Sequence, residues 1–134
     1  MTLSQQQGSL SNFVSNWNEK DDTTGNTATV TRAAVVGKAH YICGIIAGCS
    51  DYGSAQPDSL VCTIYDGATS APNAIIKFPF TSAGTDDYDP TGGPVVVNFT
   101  NPLAITAGNV VTVEVTGAVS NNVAYVNIWG FTDL

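Results

Sequence analysis

The chain has 134 residues, 43% of them hydrophobic and only 11% charged, with four Lys or Arg against eleven Asp or Glu and a formal net charge of −7. That length suits one domain, and size scaling lets it bury about two-thirds of the surface of an extended chain, so intrinsic disorder is excluded. Four scattered cations (Lys20, Arg32, Lys38, Lys77) cannot build a basic face, so neither nucleic acid nor an anionic membrane is expected as a partner.

The first residues, Met1 to Leu10, lack the basic and apolar regions of a secretory signal, and no apolar run approaches the ~20 residues of a membrane helix. Leu10, Phe13, Val14 and Trp17 fall at i, i+3, i+4 and i+7, a short amphipathic stripe. Surrounding Thr, Gly, Asn and Ser hold its helical propensity down. Residues 1–25 therefore read as an arm, helical or extended, whose Leu3, Leu10, Phe13 and Trp17 dock on a neighbour. Residues 26–134 read as the folded domain.

From Asn26 onward the pattern is of short β-strands punctuated by turns. The expected strands are Asn26–Val36, Ala39–Ala47, Leu60–Tyr65, Ala74–Phe80, Val95–Thr100, Leu103–Ile105, Val110–Thr116 and Val123–Thr132. Pro102 separates the fifth from the sixth, and Asp66-Gly67 supplies turn chemistry after the third. Eight short strands with no helices between them predict a single-domain, all-β antiparallel sandwich, here a two-sheet jelly roll. In the seventh strand Val111, Val113 and Val115 share one face and Val110, Thr112 and Glu114 the other. In the last, Ala124, Val126, Ile128 and Gly130 share one face, and Tyr125, Asn127, Trp129 and Phe131 the other. A strand apolar on both faces must be covered on both. A loop or the arm can cover the second face, or Tyr125, Trp129 and Phe131 can form a subunit interface.

Chemistry-bearing constellations are sparse. His40 is the only histidine and sits inside a strand pattern, which favours a hydrogen-bonded structural role over catalysis, and no G-x-S-x-G elbow or phosphate-binding loop is present. Cys43, Cys49 and Cys62 form no C-x-x-C pair and read as buried free thiols in a reducing cytoplasm, with a Cys43–Cys49 bridge as the alternative. Asp86, Asp87 and Asp89 share one loop, which reads as a solvated acidic tip, with Ca²⁺ ligation as the alternative. We expect a non-enzymatic protein without a cofactor.

Four phrases carry a family resemblance. They are Ala39-His40-Tyr41-Ile42; Cys62-Thr63-Ile64-Tyr65-Asp66-Gly67-Ala68-Thr69; Val97-Asn98-Phe99-Thr100-Asn101-Pro102-Leu103 running on to Thr106-Ala107-Gly108-Asn109; and Ala124 to Thr132, closing on Gly130-Phe131-Thr132. Over about Ala33 to Thr132 the chain resembles small all-β structural proteins of tailed bacteriophages, some of them capsid decoration (cement) proteins. It departs from that group at Ala68-Thr69-Ser70-Ala71-Pro72 and in its long acidic loop. The resemblance implies a jelly-roll subunit, usually a homotrimer, made in the host cytoplasm and bound to the major capsid protein outside an icosahedral head. On that reading, deleting residues 1–18 leaves the domain folded but releases it from capsids. A carbohydrate- or receptor-binding module of a tail or head fibre is the alternative, with Tyr52, Tyr88 and Trp129 as stacking candidates.

Overall fold

A computed structural model describes residues 17–21, 27–50, 59–81, 94–118 and 122–133. Its strands are β1 (Trp17–Asp21), β2 (Ala28–Arg32), β3 (His40–Ser50), β4 (Ser59–Asp66), β5 (Ala74–Thr81), β6 (Val95–Ile105), β7 (Val111–Thr116) and β8 (Val123–Thr132). They form two four-stranded antiparallel sheets, ordered β1-β8-β3-β6 and β2-β7-β4-β5. This interleaving of the chain between two sheets is the jelly-roll order, as the strand spacing predicted.

Period-two alternation builds the core. Ala124, Val126 and Ile128 of β8 face Val111, Val113 and Val115 of β7 across the sandwich, with Leu60, Cys62 and Ile64 of β4 beside them, all buried. On β3 the alternation changes phase at a bulge between Ile42 and Gly44. Ile42 faces the core before it, and Ile45, Ala47 and Cys49 face the core after it. The extra residue is Cys43, half-buried, and a bulge of this kind leaves one residue outside the ladder.

Two elements differ from the sequence reading. Trp17 does not continue a helical stripe of the arm: residues 17–21 pair with β8 as β1. The register seats Trp17 opposite Gly130, and a Cβ at Gly130 would run into both the Trp17 ring and the Tyr41 carbonyl. The missing side chain is therefore what lets the indole into the core. Leu3, Leu10, Phe13 and the rest of the expected arm before Trp17 lie outside the described residues. The second difference is β6, one strand from Val95 to Ile105 rather than two. Pro102 is tolerated because β6 is an outer strand of its sheet, where a missing N–H can face away from the ladder. The β3–β6 register breaks just there, between the Gly44–Asn98 and Ile42–Leu103 pairs.

The described connections, 33–39, 67–73 and 106–110, all lie at one end of the sandwich and bond to one another. Gly108 N–H donates to the Lys38 carbonyl (2.9 Å), Gly67 N–H to Val110 (2.9 Å) and Asp133 N–H to Ala39 (3.0 Å). Gly67 has φ +119°, a conformation that glycine alone adopts without strain.

Candidate functional site

The phrases that carry the family resemblance meet in space at this bonded end. His40 is fully buried on β3, its ring edge-on to Trp17 at 6.1 Å between centroids. Its Nε2 lies 2.8 Å from the Ala33 carbonyl, which can only accept, so Nε2 carries the proton. Nδ1 then accepts from the Thr132 hydroxyl at 2.7 Å. Asp66 takes two bonds from the Thr106 backbone N–H (3.1 and 3.2 Å), one from the Thr106 hydroxyl (2.5 Å) and one from Asn109 Nδ2 (2.8 Å). Burial pushes the Asp66 carboxyl upward, but the bonds from Thr106 and Asn109 outweigh it and leave the group below its ordinary value. Each pair joins two phrases of the motif: the first to the last, and the second to the third. These residues fasten the loops at this end of the sandwich. The histidine is held in place within a strand, as its sequence context suggested.

A second cluster of side chains lies on the outer face of the β1-β8-β3-β6 sheet. Tyr125, Trp129 and Phe131 of β8 stand together on it, each half-buried, as the alternation predicted. Tyr41 of β3 stacks on Phe131, with ring centroids 4.8 Å apart and planes 12° from parallel. Opposite Trp129 the register places Gly44, and opposite Tyr125 it places Gly48. A Cβ at either glycine would overlap the facing ring, so each ring lies over its neighbour's bare backbone. Half-buried Ile46 sits between the glycine seats, and Val96 of β6, 52% exposed, is paired beside it. Burial raises the Tyr125 phenol, with a smaller push from the Cys49 sulfur, as expected for a ring lying against the sheet. β8, β3 and β6 bring no charged side chain to this face; β1 contributes Asn18 and Lys20 at its margin.

Trp17 is the one described candidate that does not join this surface. At 5% exposure it serves the chain's own core, beside Arg32, whose guanidinium carbon lies 5.8 Å from the indole centroid and which pairs with Glu19 at 2.9 Å. A deletion through residue 18 thus cuts into the sandwich, because residues 17 and 18 belong to β1. Sequence reasoning missed Tyr41, Ile46 and Val96. A usable signal was present: glycines four apart on β3 match aromatics four apart on β8.

No disulfide joins the three cysteines: Cys49 and Cys62 are buried and Cys43 half-buried. Burial raises the Cys43 thiol and pushes Cys62 up to about 12, so neither is a ready thiolate. The acidic loop with Asp86, Asp87 and Asp89, together with Tyr52 and Tyr88, lies outside the described residues. Among the described residues no three His, Cys, Asp or Glu side chains gather as a metal would require. The fold and this face define a class, a jelly-roll sandwich with an uncharged aromatic flank. The chain matches no protein-family profile and no curated protein sequence.

Proposed function

We propose that this protein is a structural component of a tailed-phage particle, a decoration protein that binds the major capsid protein on the outside of the head and stabilises it, as a homotrimer. The observation that carries the reading is the outer face of Tyr41, Ile46, Tyr125, Trp129 and Phe131, uncharged on a chain of net charge −7. Charge depletion with aromatic enrichment is the composition of interface cores. A face of this kind repeated around a closed three-fold ring makes many identical contacts, and affinity then grows by multivalency. The motif phrases supply the resemblance to phage structural proteins, and the bonds of His40 and Asp66 give those residues a physical reason to occur together.

A second reading has its own support. Trp129 and Tyr125, seated over glycines on one strand, form a stacking surface suited to sugar rings, as a fibre-associated carbohydrate- or receptor-binding module requires. The deciding experiment is the copy number of this chain relative to the major capsid protein, by quantitative mass spectrometry of purified particles. Copies in proportion to the capsid protein are expected. A few copies per particle would move the protein to a fibre, and absence from particles would end both readings.

A further inference from the structure

The four edge strands of the two sheets are not equally protected. An edge strand presents unpaired backbone groups, and charged residues or proline normally guard it against pairing with another chain. β1 carries Glu19 and Lys20, β2 carries Arg32, and β5 carries Lys77 and Pro79. β6 is the longest edge, eleven residues reading VVVNFTNPLAI, and has no charge. Its Val95–Thr100 half is β-prone and proline-free, with a single strand neighbour among the described residues.

The sandwich is also asymmetric between its two open sides. The β1/β2 side is closed by the buried Trp17 and the Glu19–Arg32 pair. On the β5/β6 side the core-facing Ile76, Phe78, Phe80, Phe99 and Leu103 remain only partly buried.

We propose that β6 pairs antiparallel with β6 of a second copy, joining two β1-β8-β3-β6 sheets across a two-fold axis. Two features select a second copy as the occupant. On a chain of net charge −7, a like molecule approaches most cheaply where neither surface carries a carboxylate, and β6 is the described edge free of charge. Antiparallel pairing of identical strands is also self-complementary, setting Val95, Val97 and Phe99 of one copy against the same set on the other, as a two-fold contact requires. The joined edge covers Phe99 and the half-open side next to it. This pairing stands apart from the decoration reading and adds a contact to it.

The test is sedimentation velocity of the full chain over a wide concentration range. It compares wild type, the V96K/N98K variant and an I75K control on the β5 edge. Val96 and Asn98 are exposed on the outer face, and Ile75 is 43% exposed, so folding is preserved, with circular dichroism as the check. Wild type and I75K are expected to double in mass as concentration rises. V96K/N98K is expected to weaken that step by about tenfold or more, because like charges on facing strands repel. Hydrogen exchange on the wild type gives a second readout, with the amides of residues 95–100 gaining protection as the mass doubles. A mass independent of concentration, doubling that survives V96K/N98K, or residues 95–100 unprotected in the doubled form would each overturn the proposal. None of these outcomes bears on copy number in particles, so the two readings fail separately.

Discussion

The two outer faces of this sandwich are built by the same alternation and come out as opposite surfaces. On the β2-β7-β4-β5 sheet the positions turned away from the core include Thr29, Thr31, Thr63, Tyr65, Thr112, Glu114 and Lys77, with half-buried Val61 and exposed Ile75 beside them; Thr63, Tyr65 and Thr112 are buried, and Glu114 takes contacts from Thr29 (3.5 Å) and Tyr65 (3.4 Å). That face satisfies its polar groups from within. On the β1-β8-β3-β6 sheet the outward positions gather Tyr41, Tyr125, Trp129 and Phe131 among Ile46, Val96, Asn98 and Asn127, with Asn18 and Lys20 at the margin, and two of the rings need glycines across from them. A surface that only had to meet water would not require Gly44 and Gly48, each of which weakens a strand by removing its side chain. This difference supports the proposal that the second face is the one that meets other molecules.

Substitutions that break the aromatic sheet should have the largest effect. Gly130→Ala places a methyl against the Tyr41 carbonyl and the Trp17 ring, and backbone cannot yield as a flexible side chain can. A loss of about 3 kcal/mol or more in denaturant unfolding is expected. Trp17→Ala empties the same seat and should cost about 3–5 kcal/mol. Gly44→Ala should cost less, about 1–3 kcal/mol, because the Trp129 ring can swing outward; an increase in Trp129 quenching by acrylamide checks that movement. On the polar face, Thr31→Ala should change stability by under about 0.5 kcal/mol and leave assembly untouched.

Acid sharpens the comparison from the bonded end. The folded Asp66 carboxyl lies below its ordinary value of 3.8, so its bonds to Thr106 and Asn109 stabilise the fold fully above that pH. This contribution fades as pH falls below 3.8 and is gone once the folded group is protonated. Asp66→Asn should flatten that part of the stability–pH curve, measured by urea unfolding between pH 5 and 2. The smallest effect concerns the thiols. In the native protein Cys62 should not react with a thiol reagent at neutral pH, and all three cysteines should react once it unfolds.

The sequence made much of this legible where one rule acted alone. β7 and β8 alternate without interruption, and their inward and outward residues were assignable from period two. β3 was not, because the bulge at Cys43 switches the phase midway and a run reading Ile42-Cys43-Gly44-Ile45-Ile46 offers no mark of where. Trp17 misled because four apolar residues at helical spacing coincide with the start of a strand whose partner, Gly130, is over a hundred residues away. Pro102 misled because a proline ends a central strand but not an edge strand, and edge position is a property of the assembled sheet. The aromatic face was half visible: β8 announced its rings, while Tyr41 and the glycine seats acquire meaning only once β3 is known to lie beside β8.

The most direct test of the aromatic face as the assembly surface is binding of the purified chain to phage heads that lack it, comparing wild type with Trp129→Ser. Trp129 is half-buried on an outer face rather than in the core, so the variant should stay folded at a cost of about 1–3 kcal/mol, with circular dichroism and thermal unfolding as the check. Saturable binding by wild type, weakened about tenfold or more in the variant, is the expected result. Equal binding by the two proteins would contradict the account and move the contact to another surface of the molecule.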